Sequence, residues 1–394
     1  MDMKKIREDT PCGNIYMNHA STSVPPMPVI EAAQDYYRMI MKYGATSRQA
    51  EETTARICQQ AAENMAAFLN ADAQEILFVP NGTVGIGMVA QGMPWKPGQN
   101  ILLDSMSFIS NAAPFIEAAK LYGLKIRYIP AKMPGFLDLE KLEELIDENT
   151  ALISVTHAAN SLGVLQGIEQ IGTLARKYKI PYLVDVAGTM GAVSLDVQKI
   201  GCDFLSASGR KYLRGPSGTG VLYVRRDRIG MLKGYMPAWN SGTWDYGNEE
   251  FTYHDDINRL EFGEKNYPGI FGLSKAIEYI EEIGGIRGIE DRIRELTGYL
   301  LDGLATVAGV RIIGPKDAAC RCGTTGFVME GRGCDEIARY LNKNGVGMMG
   351  HHFFCPGVRE LFGIKGTARL SIHYWNTEEE IDTVINLLKK MQGE

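Results

Sequence analysis

Two residues between positions 184 and 220 carry side chains suited to chemistry on amino groups. Asp185 ends an apolar run, PYLVD, and Lys211 lies further along between an arginine and a tyrosine. Ligands of open α/β sheets bind beyond the carboxyl ends of the strands, where a residue such as Asp185 would lie. A carboxylate among apolar residues needs a cationic or hydrogen-bonding partner, because burying an unpaired charge is costly. A lysine amine can attack a carbonyl group and move protons.

Pyridoxal phosphate would satisfy both residues. Its pyridinium nitrogen would pair with Asp185, and its aldehyde would form a Schiff base with Lys211. The segment SASGRKY adds a hydroxyl and a cation that suit a phosphate, so Ser208 and Arg210 are candidates to hold that anion. Taken singly, an aspartate that ends a strand is more often a cap or part of an ion pair, and a lysine in a glycine-rich loop is usually solvated. Their ordered arrangement favours the cofactor.

The pattern of apolar runs predicts the elements that position these residues. Short apolar runs alternate with helical patterns and predict buried strands at residues 75–80, 100–105, 125–131, 150–157, 180–186, 203–208 and 219–226. Between them, Asp138 is a plausible N-cap for a leucine-rich helix. This alternation predicts an α/β domain with a mainly parallel sheet. Beyond about residue 280 the pattern predicts a smaller α+β domain, with function in the cleft between the two parts.

Composition excludes several classes of protein. The 394 residues include 41 Lys and Arg against 47 Asp and Glu, and no long basic run, so nucleic acid is not an expected partner. We find neither a signal-peptide pattern nor the roughly 20 apolar residues that span a bilayer, so we expect a cytoplasmic protein without a membrane partner. The seven cysteines are odd in number and scattered, which favours reduced thiols, and their spacing predicts no zinc site.

From IYMNHAST to ARLSIHYWNTEEEID, nearly the whole chain resembles the class V aminotransferase family of pyridoxal-phosphate enzymes. That family includes cysteine desulfurases, selenocysteine lyases and related C–S lyases. The most specific segment is residues 184–224, with its aspartate, Ser-Gly-x-Lys and Gly-Pro-x-Gly-x-Gly. The resemblance implies fold type I with a mainly parallel seven-stranded sheet. It also implies a large cofactor domain at 20–280, a small domain from 1–19 and 281–394, and a homodimer.

The resemblance also assigns roles to particular residues. Lys211 matches the Schiff-base lysine and Asp185 the partner of the pyridinium nitrogen. Gly82 and Thr83, in VPNGTVGIG, match the phosphate loop, where a helix start offers backbone N–H groups to an anion. Phe108, in SFISN, matches the residue that stacks on the cofactor ring. Many desulfurases have a histidine there, whereas phenylalanine stacks without moving a proton.

Two further matches concern the substrate. Asn160, in THAANSLG, matches a loop residue that approaches the cofactor or the substrate. Arg369, in TARLSIHYWNT, matches the arginine that clamps the substrate carboxylate, a task that its planar fork suits better than a lysine would.

Departures from the desulfurase pattern affect the predicted reaction. Desulfurases place the sulfur-carrying cysteine directly after GHH, but this chain has GHHFFCPG, so Phe353 takes that position and Cys355 follows two residues later. If Pro356 keeps the register, Cys355 is displaced from the attacking position. His351 and His352 could activate the thiol as a cationic neighbour, or they could form a packing pair.

Two other departures point the same way. Gly188 stands where relatives often have a glutamine that bonds the cofactor, with Thr189 or Asn160 as possible substitutes. Glu264 stands where many desulfurases have the threonine of a Gly-Thr pair that reaches the partner's phosphate. With these features the chain looks closer to the sulfoxide-lyase and epimerase-like branches.

The sequence therefore predicts a pyridoxal-phosphate enzyme acting on a small amino acid, with β-elimination from a cysteine-type substrate as the main hypothesis. That C–S lyase route requires no thiol nucleophile. The alternatives are a cysteine desulfurase that uses Cys355, a transaminase or epimerase of the same family, and an idle cofactor-binding scaffold. The aromatic loop at 236–256 could line the substrate pocket or pack at a subunit interface.

Overall fold

The computed structural model describes residues 1–351 and 355–393. His352 and Phe353, and the side chain of His351, lie outside the described part of the chain.

The described helices and strands follow the alternating order that the sequence predicts. The helices are α1 (Met3–Glu8), α2 (Met27–Tyr43), α3 (Arg48–Leu69), α4 (Gly82–Gly92), α5 (Ala113–Tyr122), α6 (Leu139–Leu145), α7 (Ile168–Tyr178), α8 (Val197–Ile200), α9 (Tyr267–Glu282), α10 (Gly285–Ala305), α11 (Cys334–Lys343), α12 (Pro356–Phe362) and α13 (Glu378–Gln392). The strands are β1 (Ile15–Tyr16), β2 (Ile76–Val79), β3 (Asn100–Asp104), β4 (Lys125–Ile129), β5 (Ala131–Lys132), β6 (Phe136–Leu137), β7 (Thr150–Thr156), β8 (Tyr182–Asp185), β9 (Phe204–Ser208), β10 (Gly220–Val224), β11 (Gly242–Asp245), β12 (Glu250–Tyr253), β13 (Val310–Ile313), β14 (Thr324–Met329), β15 (Val346–Gly347), β16 (Met349–His351) and β17 (Thr367–Ser371).

The large sheet has seven strands in the order β2-β10-β9-β8-β7-β3-β4. Strands β9, β8, β7, β3 and β4 run parallel, whereas β10 is antiparallel to both of its neighbours. Central strands such as β8 are buried throughout, because helices cover both faces of a parallel sheet. All seven predicted strands are present, so the predicted fold class is confirmed. The prediction of burial is wrong for β4, which is the outermost strand on one side of the sheet and is partly exposed.

Local capping explains where two of the helices begin. The Asp138 side chain accepts hydrogen bonds from the backbone N–H groups of Glu140 and Lys141, at 3.2 and 3.3 Å, which confirms its predicted role at the start of α6. Thr377 and Glu380 form a reciprocal capping box at the start of α13.

A second sheet lies in the C-terminal part of the chain, with the antiparallel order β13-β14-β17-β16. Strand β1, near the N-terminus, pairs in parallel with β15. Met17 belongs to the same apolar cluster as Leu300 and Phe327, so residues from both chain ends share one core. These pairings support the domain division that we propose, with 1–19 and 281–394 in a small domain and 20–280 in a large one.

No helix within the described ranges is both long enough and apolar enough to cross a lipid bilayer.

The loop that carries Asn160 is fixed to the small sheet by a glycine. Gly163 has φ +70°, and a Cβ added there would lie 2.4 Å from the Thr324 carbonyl oxygen. Its own carbonyl accepts the backbone N–H of Cys322 at 3.0 Å. The loop therefore approaches β14 more closely than any other residue type would allow.

Substitution of this glycine tests the close approach. We expect Gly163→Ala to lower the free energy of unfolding by about 3 kcal/mol, of which roughly 1 kcal/mol comes from the positive φ and the rest from the clash. Gly331→Ala is the matched control, because Gly331 has φ +71° with no heavy atom within 4 Å of an added Cβ. Chemical denaturation of both variants measures the difference, and equal losses would show that the close approach is unimportant.

Candidate active site

Parallel strands place several polar side chains at one edge of the large sheet. Asp104, Thr156, Asp185 and Ser208 are the last residues of β3, β7, β8 and β9. Thr156 is paired in register with Asp185. Lys211 follows β9 by three residues. The carboxyl ends of these strands therefore form the floor of a site, as expected for an open α/β sheet.

Asp185 is a buried carboxylate held by neutral groups. Its Oδ1 atom accepts the Ala187 backbone N–H at 2.9 Å, and its carboxylate also accepts the Thr156 hydroxyl. Burial raises the pKa of Asp185, and the attraction of Lys211 partly opposes that rise. Within the described residues no cationic side chain hydrogen-bonds to this carboxylate, so a ligand cation is free to do so.

Lys211 is half-buried, and its amine faces the ring of Phe108. The Nζ atom lies 6.0 Å from the ring centroid. Burial lowers the pKa of Lys211 to about 8; Asp185 opposes this effect, and the positive charges of Arg369 and Arg210 add to it. The described residues provide no hydrogen-bond acceptor for Nζ. The amine therefore has a much larger neutral, nucleophilic fraction near physiological pH than an ordinary lysine has.

The predicted phosphate loop forms at the start of α4. Gly82 opens the helix, and its N–H donates to the Ser208 hydroxyl at 3.2 Å. The Thr83 hydroxyl donates to Ser110 at 2.9 Å. The Asn81 side chain accepts the Val84 N–H at 3.0 Å and caps the helix. The structure thus brings Gly82, Thr83 and Ser208 together at a helix N-terminus, where the backbone dipole favours an anion.

Arg210 has different partners. Its guanidinium donates to the Ser21 carbonyl oxygen at 2.6 Å and to the Thr22 hydroxyl. The side chain ties the lysine loop to the N-terminal segment and still contributes positive charge near Lys211. Its assignment to the phosphate stays a prediction.

Arg369 lies on β17, fully buried. Its guanidinium donates to the Asn160 carbonyl oxygen at 3.0 Å, to Asn18 Oδ1 at 2.7 Å and to the Ser21 hydroxyl. Burial lowers the pKa of Arg369 to about 10, so the group remains a cation at neutral pH. No carboxylate pairs with it in the described ranges, and Nε is buried without a hydrogen-bond partner there. A buried cation of this kind suits a ligand carboxylate.

Cys355 lies within the same cluster. The residue precedes α12, is fully buried, and its thiol donates to Asn160 Oδ1 at 3.4 Å. Burial raises the pKa of the thiol to about 12; the charge of Asp104 adds to this rise, and Lys211 and Arg369 oppose it. The sequence spacing predicts a cysteine displaced from the attacking position, and the structure places this thiol against the loop that carries Asn160. The thiol is neutral at physiological pH.

Several residues of the site were not predicted from the sequence. His157 directly follows β7, and its Nδ1 atom is hydrogen-bonded to the Thr189 hydroxyl at 3.0 Å. Burial lowers the pKa of His157 to about 4, so the ring is neutral. The sequence did contain a signal for His157, because a polar residue directly after a buried strand is expected at the same end of the sheet as Asp185. Asn18 and Ser21 gave no such signal, because they lie far from Arg369 along the chain.

The aromatic residues of loop 236–256, which are candidates for a substrate pocket or a subunit interface, lie on the hairpin β11–β12 and the turn before it. Trp239, Trp244 and Tyr246 are 74%, 68% and 80% exposed. Exposure of this extent in a single chain favours packing at an interface over lining a closed pocket. Within the described residues we find no group of histidine, cysteine and carboxylate side chains suited to a metal ion.

The donor set fits pyridoxal phosphate. Among the described residues, Asp185 is a buried carboxylate held by neutral donors, the half-buried Lys211 makes no hydrogen bond through its amine, and a helix N-terminus lies next to Ser208. These groups match the three polar parts of the cofactor, namely the ring nitrogen, the aldehyde and the phosphate. The Phe108 ring provides an apolar face beside Lys211.

Comparisons with known proteins agree with this geometry. The aminotransferase class-V family profile matches residues 15–384. A probable cysteine desulfurase of Methanothermobacter thermautotrophicus is 32% identical and covers 100% of this chain and 99% of its own length. A cysteine desulfurase of Serratia proteamaculans is 31% identical, covering 96% and 93%. The apo structure of a cysteine desulfurase from Thermococcus onnurineus superposes with a TM-score of 0.93 at 28% identity, covering 99% and 98%.

The match spans nearly the whole chain and includes both sheets. The protein therefore belongs to the class V aminotransferase family of fold type I enzymes, whose cofactor is pyridoxal phosphate.

Proposed function

We propose that this protein is a cysteine desulfurase, which cleaves the C–S bond of L-cysteine and transfers the sulfur to Cys355. The observation that carries the proposal is the position of the Cys355 thiol, at 3.4 Å from Asn160 Oδ1, in one cluster with Lys211 and Arg369. Relatives named as cysteine desulfurases support this alternative over simple β-elimination.

Arg369 would bind the substrate carboxylate. Its guanidinium is positive, buried and free of any described carboxylate, and a bidentate pair with the substrate would add two charge-assisted hydrogen bonds. The Asn160 carbonyl and Asn18 hold the plane of the guanidinium in place. The substrate α-carbon would thereby be directed toward the lysine.

Lys211 would then move the α-proton. The bound cofactor supplies an electron sink for the bond that breaks at the α-carbon. With a pKa lowered to about 8, the Lys211 amine can accept a proton and return it near neutral pH. Asp185 places one negative charge at the carboxyl edge of the sheet, where the ring nitrogen would lie. Phe108 covers the site without taking part in proton transfer.

The sulfur transfer balances without an added oxidant. L-Cysteine and the Cys355 thiol give L-alanine and a Cys355 persulfide: the substrate Cβ–S bond breaks, an S–S bond forms, and the thiol proton ends on alanine. The attacking sulfur must lose its proton in this step. Lys211 and Arg369 favour the thiolate, whereas burial and Asp104 oppose it.

A second candidate is β-elimination. It is favoured by the raised pKa of Cys355, because elimination needs no thiolate. In that case L-cysteine and water give pyruvate, ammonia and hydrogen sulfide. Transamination and epimerisation remain hypotheses without a specific supporting contact.

We also infer that the protein acts as a homodimer. The exposed aromatic side chains of the β11–β12 hairpin support an interface there, since such residues are enriched at protein contacts. A cytoplasmic location stays a prediction.

Product analysis tests the proposed function. We expect the cofactor-loaded protein, incubated with L-cysteine without a keto-acid acceptor, to give alanine and a Cys355 persulfide detected by peptide mass spectrometry. Cys355→Ser should reduce alanine formation by at least about 100-fold, because the acceptor thiol is lost. Cys320→Ser is the control, since that cysteine is partly exposed and lies outside the cluster.

Other products would decide between the alternatives. Pyruvate and sulfide formed equally by wild type and Cys355→Ser would establish elimination and reject the desulfurase proposal. Failure to convert any amino acid would identify a scaffold.

The carboxylate clamp predicts a substrate-binding defect. Arg369→Lys keeps the charge but loses the planar fork, so we expect kcat/KM to fall by about 100-fold, mainly through KM. Arg292→Lys is the control, because Arg292 pairs with Glu378 within the small domain. Steady-state kinetics measure both. A fall in kcat alone would contradict a role in carboxylate binding.

The lowered pKa of Lys211 predicts a distinctive pH profile. In cofactor-free protein, acetylation of Lys211 by acetic anhydride should reach half of its maximal rate near pH 8, because only the neutral amine reacts. In Asp185→Asn the half-maximal point should move to lower pH, since the carboxylate raises this pKa. Peptide mass spectrometry at a series of pH values gives the profile. A midpoint near the ordinary value of 10.5 would contradict the assignment.

A further inference from the structure

A second buried carboxyl group lies beside Asp185. Asp104 is 1% exposed, and its Oδ2 atom accepts the Ser107 hydroxyl at 2.5 Å and the Thr156 backbone N–H at 2.6 Å. Its Oδ1 atom is buried and has no hydrogen-bond partner in the described chain. The desulfurase proposal above assigns this residue no direct part.

Two hydroxyl groups join Asp104 to Asp185. Ser107 Oγ and Thr156 Oγ1 are 3.1 Å apart, and the Thr156 hydroxyl reaches Asp185. The Asn111 side-chain amide donates to Ser107 at 2.9 Å and to Thr156 at 3.4 Å. All of these groups are buried, so bulk water does not interrupt the connection.

The direction of the hydrogen bonds depends on the proton of Asp104. When Asp104 is ionised, Ser107 donates to Asp104, Thr156 donates to Asp185, and no proton lies between the two hydroxyls. When Asp104 carries a proton on Oδ2, Asp104 donates to Ser107, Ser107 to Thr156, and Thr156 to Asp185. In the second arrangement a proton lies in each of the three contacts between Asp104 and Asp185. Hydrogen bonds aligned in this way strengthen one another.

The unpaired Oδ1 atom also favours the protonated acid. A buried carboxylate oxygen without a donor is more costly than the same oxygen in a neutral carboxyl group. Burial raises the pKa of Asp104 to about 7; the Ser107 hydroxyl and the backbone N–H groups of Thr156 and Met106 oppose that rise, and the charge of Asp185 adds to it. Two adjacent buried carboxyl groups do not both ionise readily.

We propose that Asp104 is a positioning residue that holds one proton and orients the Ser107 and Thr156 hydroxyls toward Asp185, so that the pair carries a single negative charge located on Asp185. This inference rests on the pyridoxal-phosphate site and is independent of which sulfur chemistry follows. It places the proton-holding group at the end of β3, the strand that pairs with β7, which carries Thr156.

Other titratable groups also face Asp104. Tyr182 lies with Asp185 on β8, and Cys355 lies at the start of α12. Burial holds both the phenol and the thiol neutral through the pH range of interest, since it raises the pKa of each. Lys211 acts on the pair through Asp185. The titration near pH 7 therefore belongs to the two carboxyl groups together, while the Lys211 amine of the cofactor-free protein has a pKa of about 8.

The experiment is a pH titration of the visible absorption band of the bound cofactor, without any amino acid. We expect the wild type to show a transition near pH 7 that Asp104→Asn lacks, because the amide cannot ionise. Thr156→Val should shift that transition by at least about half a pH unit, whereas Thr156→Ser should restore it, because only the hydroxyl links the two acids. A transition unchanged in Asp104→Asn would overturn the proposal.

A matched control is Asp147, which precedes β7 and lies at the amino ends of the strands, away from the site. Its carboxylate accepts the Asn100 side-chain amide at 2.7 Å, so Asp147→Asn removes a carboxylate without changing a group of the site. We expect its titration to equal that of the wild type.

A second measurement needs no cofactor. Because the pKa of Asp104 is raised in the folded protein from its ordinary 3.8 to about 7, the stability it contributes is complete below about pH 4 and is lost as the pH rises through 7. Relative to Asp104→Asn, the unfolding equilibrium constant of the cofactor-free wild type should rise about tenfold per pH unit between those values. If the unfolding equilibrium constants of wild type and Asp104→Asn depend on pH in the same way, the proposal is overturned, whatever products the enzyme forms.

Discussion

The structure depends on the burial of Asp185 at the carboxyl edge of the large sheet, where no cationic side chain in the described part of the chain hydrogen-bonds to it. A carboxylate in that position is stable only when donors surround it, and the Ala187 N–H and the Thr156 hydroxyl supply them. Parallel pairing of β7 with β8 brings Thr156 into register with Asp185. The sheet therefore maintains a negative charge for a ligand at some cost in stability, which is typical of functional sites.

The substrate side of the site is built from distant parts of the chain. Arg369 comes from the small sheet, Asn18 from the N-terminal segment and Asn160 from a loop of the large domain, and hydrogen bonds unite the three. Arg210 extends the same connection to Ser21 beside the lysine loop. A change in the packing of the small sheet would therefore move Arg369, the proposed carboxylate-binding residue, relative to Lys211.

Local patterns predicted much of the fold and part of the site. Apolar runs located all seven strands of the large sheet, because strands buried on both faces need continuous apolar sequence. The resemblance placed Lys211, Asp185 and Arg369, which the structure brings into one cluster. The sequence could not predict the partners of Arg369, because contacts between chain ends leave no local periodicity. Nor could it predict that Cys355 would reach Asn160, since that contact depends on how α12 packs.

The charges of the site constrain any chemistry at Cys355. Burial shifts Asp104 and the Cys355 thiol toward their neutral forms, whereas Lys211, the Ala187 N–H and the Thr156 hydroxyl favour the ionised form of Asp185. Arg369 and Lys211 are the cations that favour a thiolate. A substrate carboxylate bound at Arg369 would neutralise one of them and raise the pKa of the thiol further. If Cys355 accepts the sulfur as we propose, its attack in the substrate complex must therefore coincide with removal of the thiol proton, because a preformed thiolate would be least stable at the moment when it is needed.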